Sequence, residues 1–559
     1  MGLCCLAVFT GCSDMLDTTS EMVEYDNPLS TPEDTLYSVM GIVKKMQVIA
    51  DRNVLLGEVR ADLVSPTDRA TTAIKDMARH DFTEDNVYNN VSDYYAIINN
   101  CNYFLDHADT TMQRLGKKIF EKEYAVVKGY RAWTYLQLAK IYGQVPLITV
   151  PVMTEEEANN EMNKPYSDIS AICNYFIEDL RQYVDTEQPL YGEINGFDSH
   201  KFFIPTRVLL GELCLWAGRY QEACQYFSQY ITMRNQPIVT GIQRTRWQNI
   251  DDLDFTDASL NTSITFFAAK KEDENISLIP MEASEFNGIK SRLLDIFEST
   301  ENNDYYFQVT PSAGMRSISG AQDYIVEVLT NGIPTDTVKA PKTGLQKDYW
   351  QGDVRLGLNY ASNPVNRDEL SPYSPTIQYI NKIPSDFLPT YRIQYVYLMF
   401  AEALCRAGYP GSAFCILKYG LRQQNIERYI DLRERTAAAS LLNFPDDVFT
   451  TSNTQGAHAR GCGDVRCNED YCLPQPPTIL PAYEDTVQYQ IPLVEDMIVN
   501  EMALEMAFEG CRYYDLMRVA LRRNDASYLA LPIATRDGAR DEEMYNKLMD
   551  SKNWYLPLK

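Results

Sequence analysis

The stretch NEMALEMAFEGCRYYDLMR, residues 500–518, places Glu501, Glu505, Glu509, Arg512, Asp515 and Arg518 three or four positions apart. On a helix that spacing lines carboxylates and guanidinium groups along one face. Carboxylates used for acid–base chemistry need a cleft and environments that drive their pKa values apart. A ladder of ion pairs packed against a neighbouring element needs neither, and that is the expected role. HARGCGDVRCNEDYC, residues 458–472, gathers His458, Cys462, Cys467 and Cys472. Structural zinc sites usually pair closely spaced cysteines and repeat the pair at a distance. No second pair follows here, so no metal ligand is assigned, and in an exported chain a local disulfide among the three cysteines is expected. DDLDFTD at 251–257 and KKEDEN at 270–275 offer oxygen ligands for a structural calcium, but neither has the order of an EF-hand loop. They read as solvated acidic loops. The chain has no G-x-x-x-x-G-K-[ST], H-E-x-x-H or G-x-S-x-G element and only four histidines, so no catalytic residue is assigned.

Composition narrows the partners. Over 559 residues, 51 basic against 77 acidic side chains give a net charge of −26, without a concentrated Lys/Arg face. A phosphate-backbone partner needs such a face, so nucleic acid is excluded. Thirty-eight tyrosines against five tryptophans supply flat apolar rings with polar tips, suited equally to helix packing and to wet ligand surfaces. No apolar run is long enough to cross a bilayer. The short run Gly2 to Gly11, followed by Cys12, resembles the end of a secretory signal.

The elements that must position these groups are mostly helical. Ser30 to Ile49 opens with Thr31, Pro32 and Asp34 in a helix-start pattern, then carries apolar residues at helical spacing. Phe120 to Leu147 places Val126, Tyr130, Trp133 and Leu136 on one face and stops at Gly143, just before Pro146. Pro205 to Ile231 reads as two amphipathic helices meeting at Gly218, a tetratricopeptide-like hairpin. Tyr391 to Asn425 reads as a second, with its turn at Gly408 to Gly411, and Asp496 to Asn524 supplies a further helix and its partner. Disulfides from Cys214 to Cys224 and from Cys405 to Cys415, across the two turns, are left open. Between about Gln236 and Pro389 the helical period fades into short β-rich pieces, among them Ser263 to Lys271 and Ala321 to Leu329. A second irregular stretch is expected from Ala437 to Val494. The fold class is therefore mostly α, an interrupted helical repeat with loop and short-strand insertions.

These blocks, in this order, resemble the SusD/RagB family of nutrient-binding lipoproteins. FTGC followed by SDMLDTTSE is similar to its lipobox and mature start, and EVRADLV (58–64) and YYAIINNCNYFLD (94–106) to its N-terminal blocks. YRAWTYLQLAKIYGQVPLI, GDVR (352–355), the Tyr397 to Gly408 helix with AEA, EMAFEGCRYYDLMR and the terminal WYLPLK resemble its later ones. The resemblance implies tetratricopeptide-like hairpins forming a right-handed superhelical scaffold. It implies a signal remnant at 1–11 and a tether at 12–30 lipidated at Cys12. A helical region would follow at 31–235, a ligand-binding insertion at 236–390, and a C-terminal helical region at 391–559 interrupted at 437–494. It further implies a non-enzymatic glycan-binding lipoprotein on the outer-membrane surface, acting as the lid of a SusC-like TonB-dependent transporter. A saccharide site needs aromatic faces beside short polar groups; the candidates are Asp62, Tyr88, Tyr94, Tyr305, Tyr306, Trp350 and Tyr360. An oligopeptide ligand is the alternative within the family. Outside it stand a lipid-anchored glycoside hydrolase using Asp62 or Asp353, and a helical scaffold without a small ligand.

Overall fold

The computed structural model describes residues 32–83, 85–114, 116–233, 247–248, 259–260, 274–282, 288–297, 308–331, 333–339, 352–362, 378–380, 382–384, 386–449 and 454–558. The first helix, Pro32–Glu58, has proline in its first turn, where the missing N–H is not needed. It packs on Ser92–His107, which packs in turn on Glu121–Tyr142. Glu121–Tyr142 ends at Gly143, whose φ of 77° only glycine adopts without strain. Its sequence marks one apolar face, yet every residue from Ala125 to Tyr142 is buried. The polar side is satisfied internally: Arg131 and Lys128 both reach Asp179 on the helix Ile169–Leu180, at 3.0 and 2.5 Å.

The two expected hairpins are present. Thr206–Trp216 and Tyr220–Thr232 turn at Gly218, and Ile393–Arg406 and Pro410–Lys418 turn at Gly408, both glycines having positive φ. Ile393–Arg406 packs against both Tyr220–Thr232 and the long helix Tyr483–Glu505, joining the two hairpins to the C-terminal helices. One continuous apolar core runs from Val39 to Leu556. The terminal WYLPLK belongs to it: Trp554 is 2% exposed, and its carbonyl accepts from Arg60 and Tyr513.

Two expectations change. The stretch from Ala437 to Val494 is not irregular to its end, because the 23-residue helix Tyr483–Glu505 starts inside it. Pro492 obscured that start; it sits inside the helix, where proline ordinarily breaks the pattern. The acidic ladder is also not one helix. It ends at Glu505 and resumes at Arg512, with Phe508 (φ 69°) and Gly510 (φ 90°) turning the chain between. Within the middle region, Ile325–Thr330 pairs antiparallel with Ile333–Lys339, while Ser263 to Lys271 lies outside the described residues. Two strand pairs stitch that region to the helices: Val64–Pro66 with Val309–Pro311, and Asn275–Pro280 with Phe387–Arg392.

The bend at 506–511 touches the first helix backbone to backbone. A Cβ on Gly57 would lie 1.9 Å from the carbonyl oxygen of Gly510. Gly57→Ala should therefore destabilise the chain by about 3 kcal/mol or prevent folding. Gly41→Ala, in the same helix with no atom within 4 Å of the added carbon, should stabilise it by about 1 kcal/mol. Urea-unfolding midpoints measure both; equal shifts would refute the close crossing.

Candidate functional site

The charged residues of the ladder form a buried network that reaches across the chain rather than along a helix. Glu505, 4% exposed, lies 3.1 Å from each of three guanidinium groups, those of Arg355, Arg392 and Arg460. Arg460 grips Glu274 with two nitrogens at 2.9 and 3.0 Å. Arg392 grips Glu509 at 2.7 and 2.8 Å. Arg355 holds Asp353 through Nε and Nη2 and Glu501 through Nη1. Lys382 donates to the carbonyls of Glu505 and Ala507, at 2.8 and 2.9 Å, and meets Glu509 at 2.5 Å. These donors sit at a helix C-terminus, where free carbonyls and the dipole favour positive charge.

Beyond the bend the network continues. Arg512 binds both oxygens of Asp62, and Arg518 binds Glu402 and Asp515. Burial alone would push the Glu505 carboxyl up, but the surrounding guanidinium groups outweigh it and hold it at about 2. Glu58 shows the opposite balance. Among the described residues it accepts only backbone N–H bonds, from the bend at Gly510 among others, and burial pushes it up to about 8.

The network explains several expected site residues. Asp62 is 3% exposed and committed to Arg512, so it offers no oxygen to a sugar hydroxyl. Tyr94 is fully buried and donates to Asn53 Oδ1 at 2.6 Å. Both are interior packing groups, which removes their open face. Asp353 is fully buried on Arg355, which gives the hydrolase reading no cleft at either of its carboxylates. Glu274, expected in a solvated loop, is fully buried on Arg460. Cys462 is buried as a thiol donating to Asp353, and none of Cys462, Cys467 and Cys472 is in a disulfide, so the expected local disulfide does not form. The cysteine pairs across the two hairpin turns are free and buried as well.

Tyr88 is half-buried, against the core edge. Burial and the nearby Asp51 carboxylate push its hydroxyl up to about 12. Asp51 also accepts from Ser291 Oγ at 2.7 Å and from the Arg292 N–H at 2.6 Å. The first helix thereby pins the segment 288–297 near Tyr88. Tyr305, Tyr306, Trp350, Cys12 and the loop 251–257 lie outside the described residues. Tyr360 opens the strand Tyr360–Ser362, paired with Gln378–Ile380.

Residues flanking the undescribed candidates are fixed. Gln308 donates from its N–H to Ile296 and accepts from Thr67, and Ser312 hydrogen bonds through its hydroxyl to the Asp62 carbonyl. Gly352 and Asp353 are held at the other end of the helix Ala313–Gly320, where the Asp353 N–H donates to Ser319. Eight residues of helix separate these two anchors by about 12 Å.

A polar crevice between the first helix, Glu121–Tyr142 and the bend is lined by Trp133, Lys140, Glu212, Tyr391 and Tyr514. Its 80 Å³ holds about five waters, too few for a sugar ring. A surface groove of 480 Å³ lies between the helix Leu432–Ala437 and residues 473–490. There the Arg433 guanidinium covers the Tyr483 ring at 3.9 Å, so that aromatic face is already occupied.

Sequence comparisons find no match, neither to a family model nor to a curated protein. Solved structures match over nearly the whole chain. A SusD superfamily protein from Bacteroides vulgatus aligns with a TM-score of 0.54 at 14% identity, over 93% of this chain and 92% of that one. A SusD superfamily protein from Bacteroides thetaiotaomicron gives 0.54 at 15%, over 88% and 89%. A SusD-like carbohydrate-binding protein from Bacteroides fragilis gives 0.53 at 14%, over 89% and 88%. The chain has the SusD-like helical fold.

Network charges make stability depend on pH in two directions. Glu505 is held below its ordinary 4.5, so its contribution is present above 4.5 and lost as pH falls through about 2. Glu58 is held above its ordinary 4.5, so its contribution is present below 4.5 and lost as pH rises through about 8. Urea midpoints should fall on both sides. Glu58→Gln should flatten the alkaline arm alone, and Glu505→Gln should cost about 3–5 kcal/mol at neutral pH. An unchanged alkaline arm in Glu58→Gln would contradict the assignment.

Proposed function

We propose that this chain is a non-catalytic glycan-binding lipoprotein of the SusD/RagB family, held on the outer-membrane surface as the lid of a SusC-like TonB-dependent transporter. The observation that carries the reading is the whole-length fold shared with solved SusD superfamily proteins, among them one described as a SusD-like carbohydrate-binding protein. The ordered sequence blocks, from FTGC to EMAFEGCRYYDLMR, support the same family. Among the described residues no helix is long and apolar enough to cross a membrane, and attachment is assigned to Cys12 of the lipobox-like FTGC. Acylation there would bury several chains at about 0.8 kcal/mol per CH2, where one chain is marginal.

Ligand contact is assigned to Tyr88 and to the sequence candidates Tyr305, Tyr306, Trp350 and Tyr360. Calorimetric titration with a panel of neutral and acidic glycans and with a peptide pool should give saturable heat for a glycan, which is recovered uncleaved after long incubation. Trp350→Ala or Tyr305→Ala should weaken it about tenfold, the ~1.4 kcal/mol of one well-stacked ring. Saturable heat with peptides alone would select the oligopeptide reading. Product formation abolished by a single Asp→Asn change would select a hydrolase.

The anchor is tested separately. Cys12→Ala should release the chain from the membrane fraction in cells lacking the transporter. Retention of that variant would refute lipidation at Cys12.

A further inference from the structure

The cluster at the edge of the buried network has the chemistry of a transition-metal site. Asp353, His458 and Cys462 are all buried, and each offers one ligand atom within 4.8 Å of the other two. Cys462 Sγ already lies 3.1 Å from Asp353 Oδ2. A tetrahedral zinc ion with bonds of about 2.0 to 2.3 Å holds its ligands roughly 3.5 Å apart, so a small closure brings the three into range.

Outer contacts orient two of the three. His458 Nδ1 is 2.6 Å from Glu501 Oε2, the carboxylate–imidazole pairing that fixes the tautomer and leaves Nε2 its lone pair. Arg355 grips Asp353 through Nε and Nη2. Gly461 lets the backbone beside Cys462 approach, since a Cβ there would stand 2.0 Å from Asp353 Oδ1.

A second observation lies beside the cluster. Tyr471 stacks on the His458 ring at 4.0 Å, and its hydroxyl is buried without a hydrogen-bond partner among the described residues, within the field of Glu501, Cys462 and Asp353. A buried orphan hydroxyl in a native protein calls for a water or an ion.

Charge agrees. Among the described residues, the ion pairs joined to Arg355 hold five carboxylates (Glu274, Asp353, Glu501, Glu505, Glu509) against four cations (Arg355, Lys382, Arg392, Arg460), one negative charge in excess. A divalent ion bound with a thiolate adds one net positive charge.

We propose that Asp353, His458 and Cys462 bind a zinc-class divalent cation, with a water in the fourth position supplying the partner that the Tyr471 hydroxyl lacks. Mixed S, N and O donors select zinc-like ions over calcium or magnesium. Cys462 gives up its proton to solvent on binding, and no electron is transferred. Because the ligands join residues 353 and 458–462, the ion would clasp the middle region to the C-terminal insertion. Spacing within HARGCGDVRC could not reveal this, because the third ligand lies more than a hundred positions upstream.

The test uses the full chain. Metal analysis after refolding with zinc and exhaustive dialysis should find one equivalent. Refolding with cobalt should give a thiolate-to-cobalt absorption band that zinc displaces. Cys462→Ser, checked for folding by circular dichroism, should lose the band, and Cys467→Ser should keep it. Less than a tenth of an equivalent in the unmodified chain, no thiolate–cobalt band, or a band surviving in Cys462→Ser would overturn the proposal. The first two readouts decide it even if Cys462→Ser does not fold.

Discussion

Glu505 sits where the structure is most constrained. Its buried carboxylate meets three guanidinium groups that arrive from residues 355, 392 and 460, and none of those groups can leave without stranding charge in the interior. Removing an ion from water costs several kcal/mol even after relaxation, so such a network adds little net stability as a whole. Its consequence is specificity. Any packing that misplaces the middle region or the C-terminal insertion leaves unpaired buried charge, and each such group is penalised far more than a misplaced apolar side chain.

The same demand shapes the backbone. A continuous helix through 500–518 would carry the acidic and basic residues along one stripe, facing one neighbour. Breaking it at Phe508 and Gly510 aims Glu501 and Glu505 at the middle region, while Arg512 and Arg518 turn toward Asp62 and Glu402. The break exposes carbonyls at a helix end, and Lys382 and Arg392 supply their donors. It also brings Gly510 against Gly57, a crossing that only two glycines permit. Sequence, bend and buried charge are thus one solution to one constraint.

Local pattern made the hairpins legible, because Gly218 and Gly408 and the apolar spacing around them act within a few residues. The ion-pair role of the 501–518 ladder was legible for the same reason. Its partners were not, since Arg355, Arg392 and Arg460 are more than forty positions away and a single sequence carries no sign of that pairing. Asp62 and Tyr94 looked like site residues because a polar group in a patterned block reads alike whether it faces a ligand or an arginine. Pro492 hid a helix start, and the long irregular look of 437–494 was its result.

Tyrosine abundance has a structural use that redirects the search for a ligand surface. Tyr95, Tyr130, Tyr135 and Tyr513 are at most 1% exposed, and their hydroxyls bind the carbonyls of Pro146, Phe202, Ile148 and Trp554. Each ring packs between helices while its tip satisfies a carbonyl in the connecting segment beyond, a task that phenylalanine cannot perform. In the helical half, then, tyrosine is the residue that fastens loops to helices, and its frequency there says nothing about ligands. A ring becomes eligible for a ligand only where no helix covers it and no carbonyl occupies its hydroxyl. Among the candidates whose side chains are described, Asp62 and Tyr94 are buried and Tyr88 is half-buried, beside the segment that Asp51 pins to the first helix.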